Sequence, residues 1–418
     1  MAPEGWRTVS LGETGDWLSG GTPSKRKPEF WSGGIPWVSP KDMKVLRIGS
    51  AIDEVSEAAI GNGTRLVEPG TLLLVVRGMI LAHSFPVALT TRNVAFNQDI
   101  KAIVPSSSVD PEFLLYWLEA AKVDVLAQVN EATHGTKRVP TEGLQAMPVR
   151  LPPLPEQRKI AAILGSVDAL IERTQAVIDQ VEVVKKGLMQ ELLTRGLPGR
   201  HTRFKQTEIG EIPESWEVVP LSSMLETIID YRGKTPPKSD SGIPLLSSAN
   251  VNGGRIRLEK PQFISTADYS KWTTRGFTQP GDVLITTEAP AGEVAPYPPE
   301  GVYQISRRVM ALRANLRRLS PRFLLYALQA DVVKQRLLKR NRGSTVPRLL
   351  KPDITEMPLA IPPLEEQARI AEVLGSSEAY SMELEAELSG LASVKAAMSS
   401  ALLSGEVRAQ TDESDAAA

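Results

Sequence analysis

Apolar residues recur at alternating steps of four and three along two stretches of this 418-residue chain. The first seam runs from Ile160 to Leu192, and the second runs from Ile370 to Leu402, 210 residues later. This spacing places apolar side chains on one face of a helix and is typical of coiled coils. We therefore predict two helices of about 39 residues, each roughly 58 Å long.

Two apolar seams of equal length favour packing of the helices against each other. We expect an antiparallel pair with pseudo-two-fold symmetry; the alternatives are that each helix packs only on its own domain, or pairs with another molecule. Lys185 and Lys395 lie on the seams and would fix the register. The residues predicted for this pairing are Ile160, Leu164, Val167, Ile171, Ile178, Val181, Leu188, Leu192, Ile370, Leu374, Leu384, Leu388, Leu391, Met398 and Leu402.

The seams belong to an internal repeat that covers the chain. LPPLPEQRKIAAILGS from Leu151 and IPPLEEQARIAEVLGS from Ile361 share 10 of 16 positions, and Trp6 precedes Trp216 at the same offset. The repeat predicts globular domains at 1–150 and, after a linker, within 197–360. The helices are predicted at 151–196 and 361–406, and residues 407–418 are predicted to be a disordered acidic tail.

Short apolar runs after Pro-Gly turns predict strands, as in EPGTLLLVV from Glu68 and QPGDVLITT from Gln279. The segments that begin at Pro111 and Pro321 have helical spacing. Proline occupies the first position of each, where a backbone N–H would form no hydrogen bond within the helix. The predicted fold class is therefore mixed α/β: two globular domains plus the two long helices.

Charge is distributed unevenly along the chain. The total is −1, yet residues 307–351 carry a net charge of +12 and the segment from Glu372 to the C-terminus carries −7. Local clustering of basic groups decides affinity for a polyanion, so the basic stretch suggests nucleic acid.

The composition excludes several classes of protein. Cysteine is absent, which excludes disulfides and thiolate metal sites, and there is no apolar run of about 18 residues to span a membrane. The first residues lack the pattern of a signal peptide, so we expect a cytoplasmic protein.

Two similar but diverged modules joined by a spacer suit a DNA duplex with two separated half-sites. Half-sites on the same face of a duplex lie one helical turn, about 34 to 36 Å, apart. Arginine can contact phosphates or pair with guanine. The alternative for the basic residues is a solvated helix face or loop. The candidate DNA-binding residues are Lys25, Arg26, Lys27, Arg77, Asn97, Gln98, Lys137, Arg138, Arg232, Lys234, Arg307, Arg308, Arg342 and Arg348.

The chain resembles the specificity subunits of type I restriction-modification systems. The resemblance rests on the repeated PPLPEQRKIAAILG and PPLEEQARIAEVLG segments, GTPSKRKPEFWSGGIPWV, PGTLLLVVRG, PGDVLITTEA, NVAFNQDIKAI and ISRRVMALR. It implies two target-recognition domains that each read half of a bipartite asymmetric sequence, with the helices as a ruler. It also implies two adenine-methylating modification subunits and ATP-dependent restriction subunits as partners. These partners, and not this chain, would bind S-adenosylmethionine, ATP and Mg.

The residues themselves do not predict an enzyme. There is no Asp-Pro-Pro-Tyr-like methyltransferase loop, and Ile228 replaces the glycine that a phosphate-binding loop ending in Gly233-Lys234-Thr235 would need. Asp282 and Glu288 could suggest a nuclease pair, but no Glu-x-Lys follows. The histidines His83, His134 and His201 lack acidic neighbours at ligand spacing, so no metal site is predicted. A coiled-coil adaptor with two protein-binding modules and no DNA contact is the competing interpretation.

Overall fold

The computed structural model describes residues 3–131, 135–231, 233, 236–259, 261–339 and 347–410. The chain forms two compact units: unit 1 combines Met1–Gln175 with Glu387–Ala418, and unit 2 is Ala176–Ala386. Each unit contains both helices and sheets, which confirms the predicted mixed α/β class.

Unit 1 contains the first half of the secondary structure and the last part of the second long helix. Its helices are α1 (Pro111–Ala120), α2 (Lys122–Leu126), α3 (Thr141–Gln145) and the first part of α4 (Leu154–Thr194). Its strands are β1 (Arg7–Ser10), β2 (Gly15–Ser19), β3 (Ile35–Val38), β4 (Arg47–Ile48), β5 (Asp53–Val55), β6 (Arg65–Val67), β7 (Leu72–Val75), β8 (Val87–Thr90), β9 (Val94–Phe96), β10 (Ile100–Pro105), β11 (Asn130–Glu131), β12 (Lys137–Arg138) and β13 (Pro148–Leu151).

Unit 2 follows the same plan. Its helices are the rest of α4, then α5 (Tyr269–Trp272), α6 (Pro321–Gln329), α7 (Asp331–Lys339), α8 (Lys351–Thr355) and the first part of α9 (Leu364–Ser404). Its strands are β14 (Phe204–Thr207), β15 (Gly210–Pro213), β16 (Glu217–Pro220), β17 (Leu225–Asp230), β18 (Ile243–Leu246), β19 (Val251–Asn252), β20 (Arg255–Ile256), β21 (Gln262–Ile264), β22 (Val283–Thr287), β23 (Ala291–Pro296), β24 (Gln304–Ile305), β25 (Val309–Ala314) and β26 (Pro358–Ile361).

The main sheets of the two units share four corresponding strands, and β4 adds a fifth at the edge in unit 1. Unit 1 has the order β2-β10-β7-β8-β4 and unit 2 has β17-β25-β22-β23. In a second sheet, the strands β5-β3-β9 of the four-stranded β5-β3-β9-β6 correspond to β21-β18-β24, and the pairs β3-β9 and β18-β24 are both parallel. The predicted strands after Glu68 and Gln279 are β7 and β22, and both are buried along their whole length.

The helices that begin at Pro111 and Pro321 cover the main sheets, and their apolar faces are buried in the core of each unit. In unit 1 the side chain of Asp110 caps α1 by accepting a hydrogen bond from the backbone of Phe113 at 2.9 Å. Each predicted helix is interrupted after about ten residues, at Ala121 and Ala330, so the segments form two consecutive helices instead of one.

The long helices α4 and α9 are each 41 residues, or about 61 Å. Every position of both predicted seams is buried or half-buried. Both helices are divided between the units: the first part of α4 packs in unit 1 with the last part of α9, and the opposite halves pack in unit 2.

Within each unit the two helix segments run antiparallel. In unit 1, Asp168 of α4 forms an ion pair with Lys395 of α9, while Arg150, just before α4, donates to the carbonyl oxygen of Ser404 at 3.3 Å. In unit 2, Ser381 donates to Glu182 at 3.1 Å, while the backbone of Leu197, just after α4, donates to Glu366 at 3.3 Å. Residue numbers thus fall along one helix as they rise along the other.

The two seam lysines have different environments. Lys395 binds buried Asp168 and lies 5.5 Å from the ring centre of Tyr116, whose hydroxyl donates to the same carboxylate at 2.8 Å. Burial raises the pKa of Tyr116, so the hydroxyl stays protonated. Lys185 lines a cleft of about 750 Å³ in unit 2 and forms no ion pair with any described residue.

The repeated Glu-Gln pairs anchor the starts of the long helices. The side chain of Gln157 accepts from the backbone of Asp110 and donates to the carbonyl oxygens of Ser108 and Pro152, at 2.8 to 3.0 Å. Gln367 makes the corresponding three hydrogen bonds in unit 2. Near identity of these segments follows because both must satisfy the same buried backbone groups.

The neighbouring glutamates are buried and bonded to tryptophan. In unit 1, Trp6 donates to Glu156 at 3.0 Å, and Arg408 donates to both oxygens of Glu156 at 2.7 and 2.8 Å. The predicted disordered tail is therefore wrong for its first residues, since Arg408 is held by Glu156 and Ala409 is buried. Residues 411–418 of that tail lie outside the described part.

In unit 2 the corresponding glutamate is Glu366. Trp216 donates to it at 3.1 Å, and His201 contacts it at 2.7 Å. The acidic partner of His201 lies 165 residues away in the sequence, so spacing along the chain could not reveal it. In the described part of the chain, no helix is long and apolar enough to cross a membrane.

Candidate nucleic-acid interface

The candidate interface of unit 1 lies where β7 ends and β10 begins. The backbone nitrogens of Val76 and Arg77 donate to the carbonyl oxygen of Asp99 at 2.9 and 3.3 Å, and Val139 donates to Val76 at 3.0 Å. Arg77 and Arg138 form an isolated antiparallel bridge. Three segments distant in sequence thereby meet, and we call Arg77, Gln98, Asp99 and Arg138 the unit 1 strand-end site.

A side-chain turn sets the shape of this site. Asn97 is buried; its side-chain oxygen accepts from the backbone of Asp99 at 3.0 Å, and its amide donates to the Asp99 carboxylate at 3.3 Å. Such local bonds are typical of asparagine in turns. Asn97 was a candidate for DNA contact, but the structure instead places it inside the turn that supports the neighbouring residues.

Unit 2 contains the same backbone frame. Thr287 donates to the carbonyl oxygen of Arg308 at 2.8 Å, and Leu349 donates to Thr287 at 2.8 Å. Glu288 and Arg348 form the isolated bridge, and the Ser306 hydroxyl takes the place of the Asn97 side chain by accepting from Arg308 at 3.4 Å. We call Glu288, Arg307, Arg308 and Arg348 the unit 2 strand-end site.

At two of three corresponding positions, the frame holds side chains of opposite charge in the two units. Position by position, Arg77 corresponds to Glu288, Asp99 to Arg308, and Arg138 to Arg348. In unit 2, Arg308 donates through Nε to Glu288 at 2.8 Å, and Arg348 lies 3.8 Å from the other oxygen of that carboxylate. In unit 1, neither Arg77 nor Arg138 forms an ion pair with a described residue.

A cleft of about 460 Å³ opens beside the unit 2 site. Its lining includes Gly233, Glu288 and the three arginines 307, 308 and 348. The Glu288 side chain is 24% exposed, whereas those of Arg308 and Arg348 are 43% and 63% exposed. A mostly buried carboxylate with partly exposed arginines can present planar donors to an anionic or base-edge acceptor.

Other candidates of unit 1 lie on the surface outside this frame. Lys25, Arg26 and Lys27 are all exposed. The ammonium of Lys27 lies 4.9 Å from the Phe30 ring centre, beside the small apolar core of the β5-β3-β9-β6 sheet. Their exposure suits contact with phosphates, which requires charge and no fixed geometry.

Gln98 and Lys137 already have protein partners. Gln98 is exposed and accepts a hydrogen bond from Thr22. Lys137 binds Glu131 at 2.8 Å, and this hydrogen bond lowers the pKa of the Glu131 carboxyl. The remaining candidates, Arg232, Lys234 and Arg342, lie outside the described residues, as does His134, and their roles stay predictions.

The excess charge of residues 307–351 is reduced by acids from elsewhere in unit 2. Among the described residues of this stretch, five basic side chains have carboxylate partners; the pairs are Arg308–Glu288, Arg313–Asp282, Arg318–Glu217, Lys334–Glu293 and Arg348–Glu288. A count along the sequence therefore overstates the positive potential of this surface.

The carboxylates Asp282 and Glu288 do not form a pair. Asp282 is buried and bound by Arg313 through two hydrogen bonds of 2.7 and 2.9 Å, while Glu288 belongs to the strand-end site. Among the described residues, no group of three or more His, Cys, Asp or Glu side chains could hold a metal ion. The geometry supports recognition by charge and hydrogen bonding.

Comparisons with known proteins agree with this interpretation. The family model described as type I restriction modification DNA specificity domain matches residues 3–183 and again 213–390. The specificity subunit of the type I restriction enzyme MjaVIII from Methanocaldococcus jannaschii is 28% identical over 414 residues, covering 97% of this chain and 94% of the relative.

Solved structures share the fold. A chain from a study of assembly and conformational transition in the type I R-M system has a TM-score of 0.57 at 21% identity, covering 97% of this chain and 100% of its own length. The type I S subunit from M. genitalium also has a TM-score of 0.57, at 12% identity, with coverage of 95% and 96%.

The adaptor interpretation is not favoured, because the family match includes both globular units. The chain belongs to the family of type I restriction-modification specificity subunits and is a non-catalytic DNA-recognition subunit with two target-recognition domains.

Proposed function

We propose that each strand-end site reads one half of a bipartite, asymmetric DNA target. One observation carries the proposal: the two units hold the same backbone frame, with corresponding hydrogen bonds, but present different charged side chains on it. Base edges in the major groove are distinguished by their patterns of donors and acceptors. Different side chains on one frame therefore read different sequences.

The long helices set the gap between the half-sites in this proposal. Both helices contribute to both units, and in each unit a segment of α4 packs with a segment of α9. Apolar side chains on α4 and α9 that remain exposed, including Leu170, Val183, Val184 and Met382, provide surface for partner subunits. We assign to it two modification subunits, with restriction subunits joining for cleavage.

Cofactor chemistry belongs to those partners in the same proposal. Methyl transfer would use S-adenosylmethionine in the modification subunits, and cleavage would use ATP and Mg in the restriction subunits. This chain supplies recognition, and the complex would act in the cytoplasm.

The test is methylation profiling of DNA modified by the full chain assembled with its modification subunits. The expected result is one methylated motif with two different half-sites and a fixed gap. DNA binding should weaken steeply with salt, in proportion to the phosphates contacted. Methylation without a bipartite motif would overturn the proposal.

The ruler is tested separately. Removing one heptad from both α4 and α9 should change the gap and leave both half-sites as they were. An altered half-site in a folded variant would show that the helices take part in reading.

A further inference from the structure

Glu288 is an acidic residue within a site otherwise composed of basic residues. Its counterpart in the unit 1 strand-end site is Arg77, and the counterpart of its partner Arg308 is Asp99. The acid and the base have thus exchanged positions between the units. In unit 1 the Asp99 carboxylate is bonded by Asn97, whereas in unit 2 the Glu288 carboxylate is bonded by Arg308.

The contact between Glu288 and Arg308 orients the guanidinium. Glu288 accepts from Nε of Arg308 at 2.8 Å, and the two terminal nitrogens of Arg308 make no hydrogen bond to a described residue. A guanidinium fixed at one edge loses less rotational freedom when its other donors bind a planar acceptor pair. The cleft beside it provides about 460 Å³ of open space.

The stability of the fold does not account for this pair. Arg308 is nearly half exposed, and ion pairs at such positions contribute little to stability because water screens them. A carboxylate at a DNA-facing position also repels phosphates, which lowers affinity for DNA of any sequence. An acid is useful there when it positions a base-reading side chain or selects against a wrong partner.

The acceptor that suits two parallel donors in the major groove is the O6 and N7 edge of guanine, the commonest specific contact of arginine with DNA. Adenine presents an amino group in place of O6, and that group would oppose a guanidinium. Arg348 lies farther from Glu288, at 3.8 Å, and is more exposed. Its exposed position suits contact with a phosphate.

We propose that Arg308 reads a guanine in the half-site of unit 2, that Glu288 is the residue that positions Arg308, and that Arg348 contacts the phosphate backbone. This inference rests on the proposed function, because it assigns one base to one of the two half-sites. It further implies that Arg77 and Arg138 of unit 1, which form no ion pair with a described residue, contact phosphates.

The experiment uses the full chain assembled with its modification subunits and compares methylated motifs across the variants Arg308→Lys, Glu288→Gln and Arg348→Ala. Lysine keeps the charge of Arg308 but removes the planar pair of donors, and glutamine keeps the shape of Glu288 but removes its charge. The matched control is Glu217→Gln, which alters another exposed Glu-Arg pair of unit 2 at 3.6 Å.

For Arg308→Lys, discrimination at one guanine of one half-site should fall by about tenfold or more, the range of a bidentate pair. Glu288→Gln should relax the same position to a smaller extent. The other half-site and the gap should be unchanged in both, and Glu217→Gln should match the parent. Arg348→Ala should weaken binding to all sequences alike and reduce the salt slope by about one.

The outcomes separate this inference from the proposed function. If the parent chain gives no bipartite motif, the proposed function fails. If the motif is intact but contains no guanine that responds to Arg308→Lys, the inference fails alone. It also fails if Glu288→Gln and Arg308→Lys lower methylation equally at all sequences while thermal unfolding remains unchanged, because the pair would then act only by charge.

Discussion

The helix starts and the strand-end sites give opposite results when the two units are compared. At the helix starts both units place a buried tryptophan on a buried glutamate, at 3.0 and 3.1 Å, and a glutamine on three backbone groups. At the strand ends they share the backbone frame but exchange an acid for a base. The comparison separates residues that stabilise the shared fold from residues that make the two units different.

The largest expected effect comes from removing a glutamate that anchors the start of a long helix. Glu156→Ala or Glu366→Ala leaves the buried Nε1 group of Trp6 or Trp216 without its acceptor and should lower the free energy of unfolding by about 3 kcal/mol. Urea unfolding of the full chain measures the loss, and amide hydrogen exchange locates it in the altered unit.

The matched control for this comparison is Glu365→Ala. Glu365 neighbours Glu366 but is exposed, so its replacement should change stability by no more than about 0.5 kcal/mol. If Glu156→Ala and Glu366→Ala lower the free energy of unfolding by very different amounts, the two helix starts are not structurally equivalent.

The seam lysines provide the second comparison. Lys395→Met leaves buried Asp168 without its cation and should destabilise the chain by about 2 kcal/mol. Lys185 has no ion-pair partner among the described residues, so Lys185→Met should change stability by less than about 0.5 kcal/mol. Chemical denaturation compares the two directly, and equal losses would mean that the lysines act through their aliphatic stems instead of their charge.

The seams, the repeat and the α/β class could be predicted because they are periodic or local in the sequence. The heptad pattern identified positions that are all buried or half-buried. It could not reveal that each helix is divided between two units, because this division depends on contacts with the globular cores. The pattern also did not predict the hydrogen bond from Trp6 to Glu156, because the sequence shows Trp6 only as a residue repeated at Trp216.

The candidate site was less predictable because its members meet only in three dimensions. Glu288 and Arg348 are 60 residues apart and join through a single bridge. Asn97 looked like a base-reading amide, but its bonds close a turn. The charge of the basic stretch was overstated because acids such as Asp282 precede it in sequence and pair with it in the fold.

The third comparison concerns the arginines of unit 1. Replacing both Arg77 and Arg138 with alanine should weaken binding to all sequences alike, by about tenfold if two phosphates are lost, and reduce the salt slope by about two. Binding titrations at several salt concentrations measure both. If the double variant instead relaxes one base position, unit 1 also reads guanine by arginine and the contrast with Arg308 disappears.

The smallest effect is expected in the loops that precede β3 and β18. Unit 1 carries Lys25, Arg26 and Lys27 there, all exposed, whereas unit 2 carries Lys238 after its own Thr-Pro sequence. Replacing any one of these residues with alanine should reduce the salt slope by about one and affinity only slightly, because each contributes a single screened charge. Replacing all three in unit 1 should reduce the slope by about three, without changing the methylated motif. A loss of affinity that does not depend on salt would contradict phosphate contact and indicate that this loop shapes the neighbouring sheet, where Lys27 lies over Phe30.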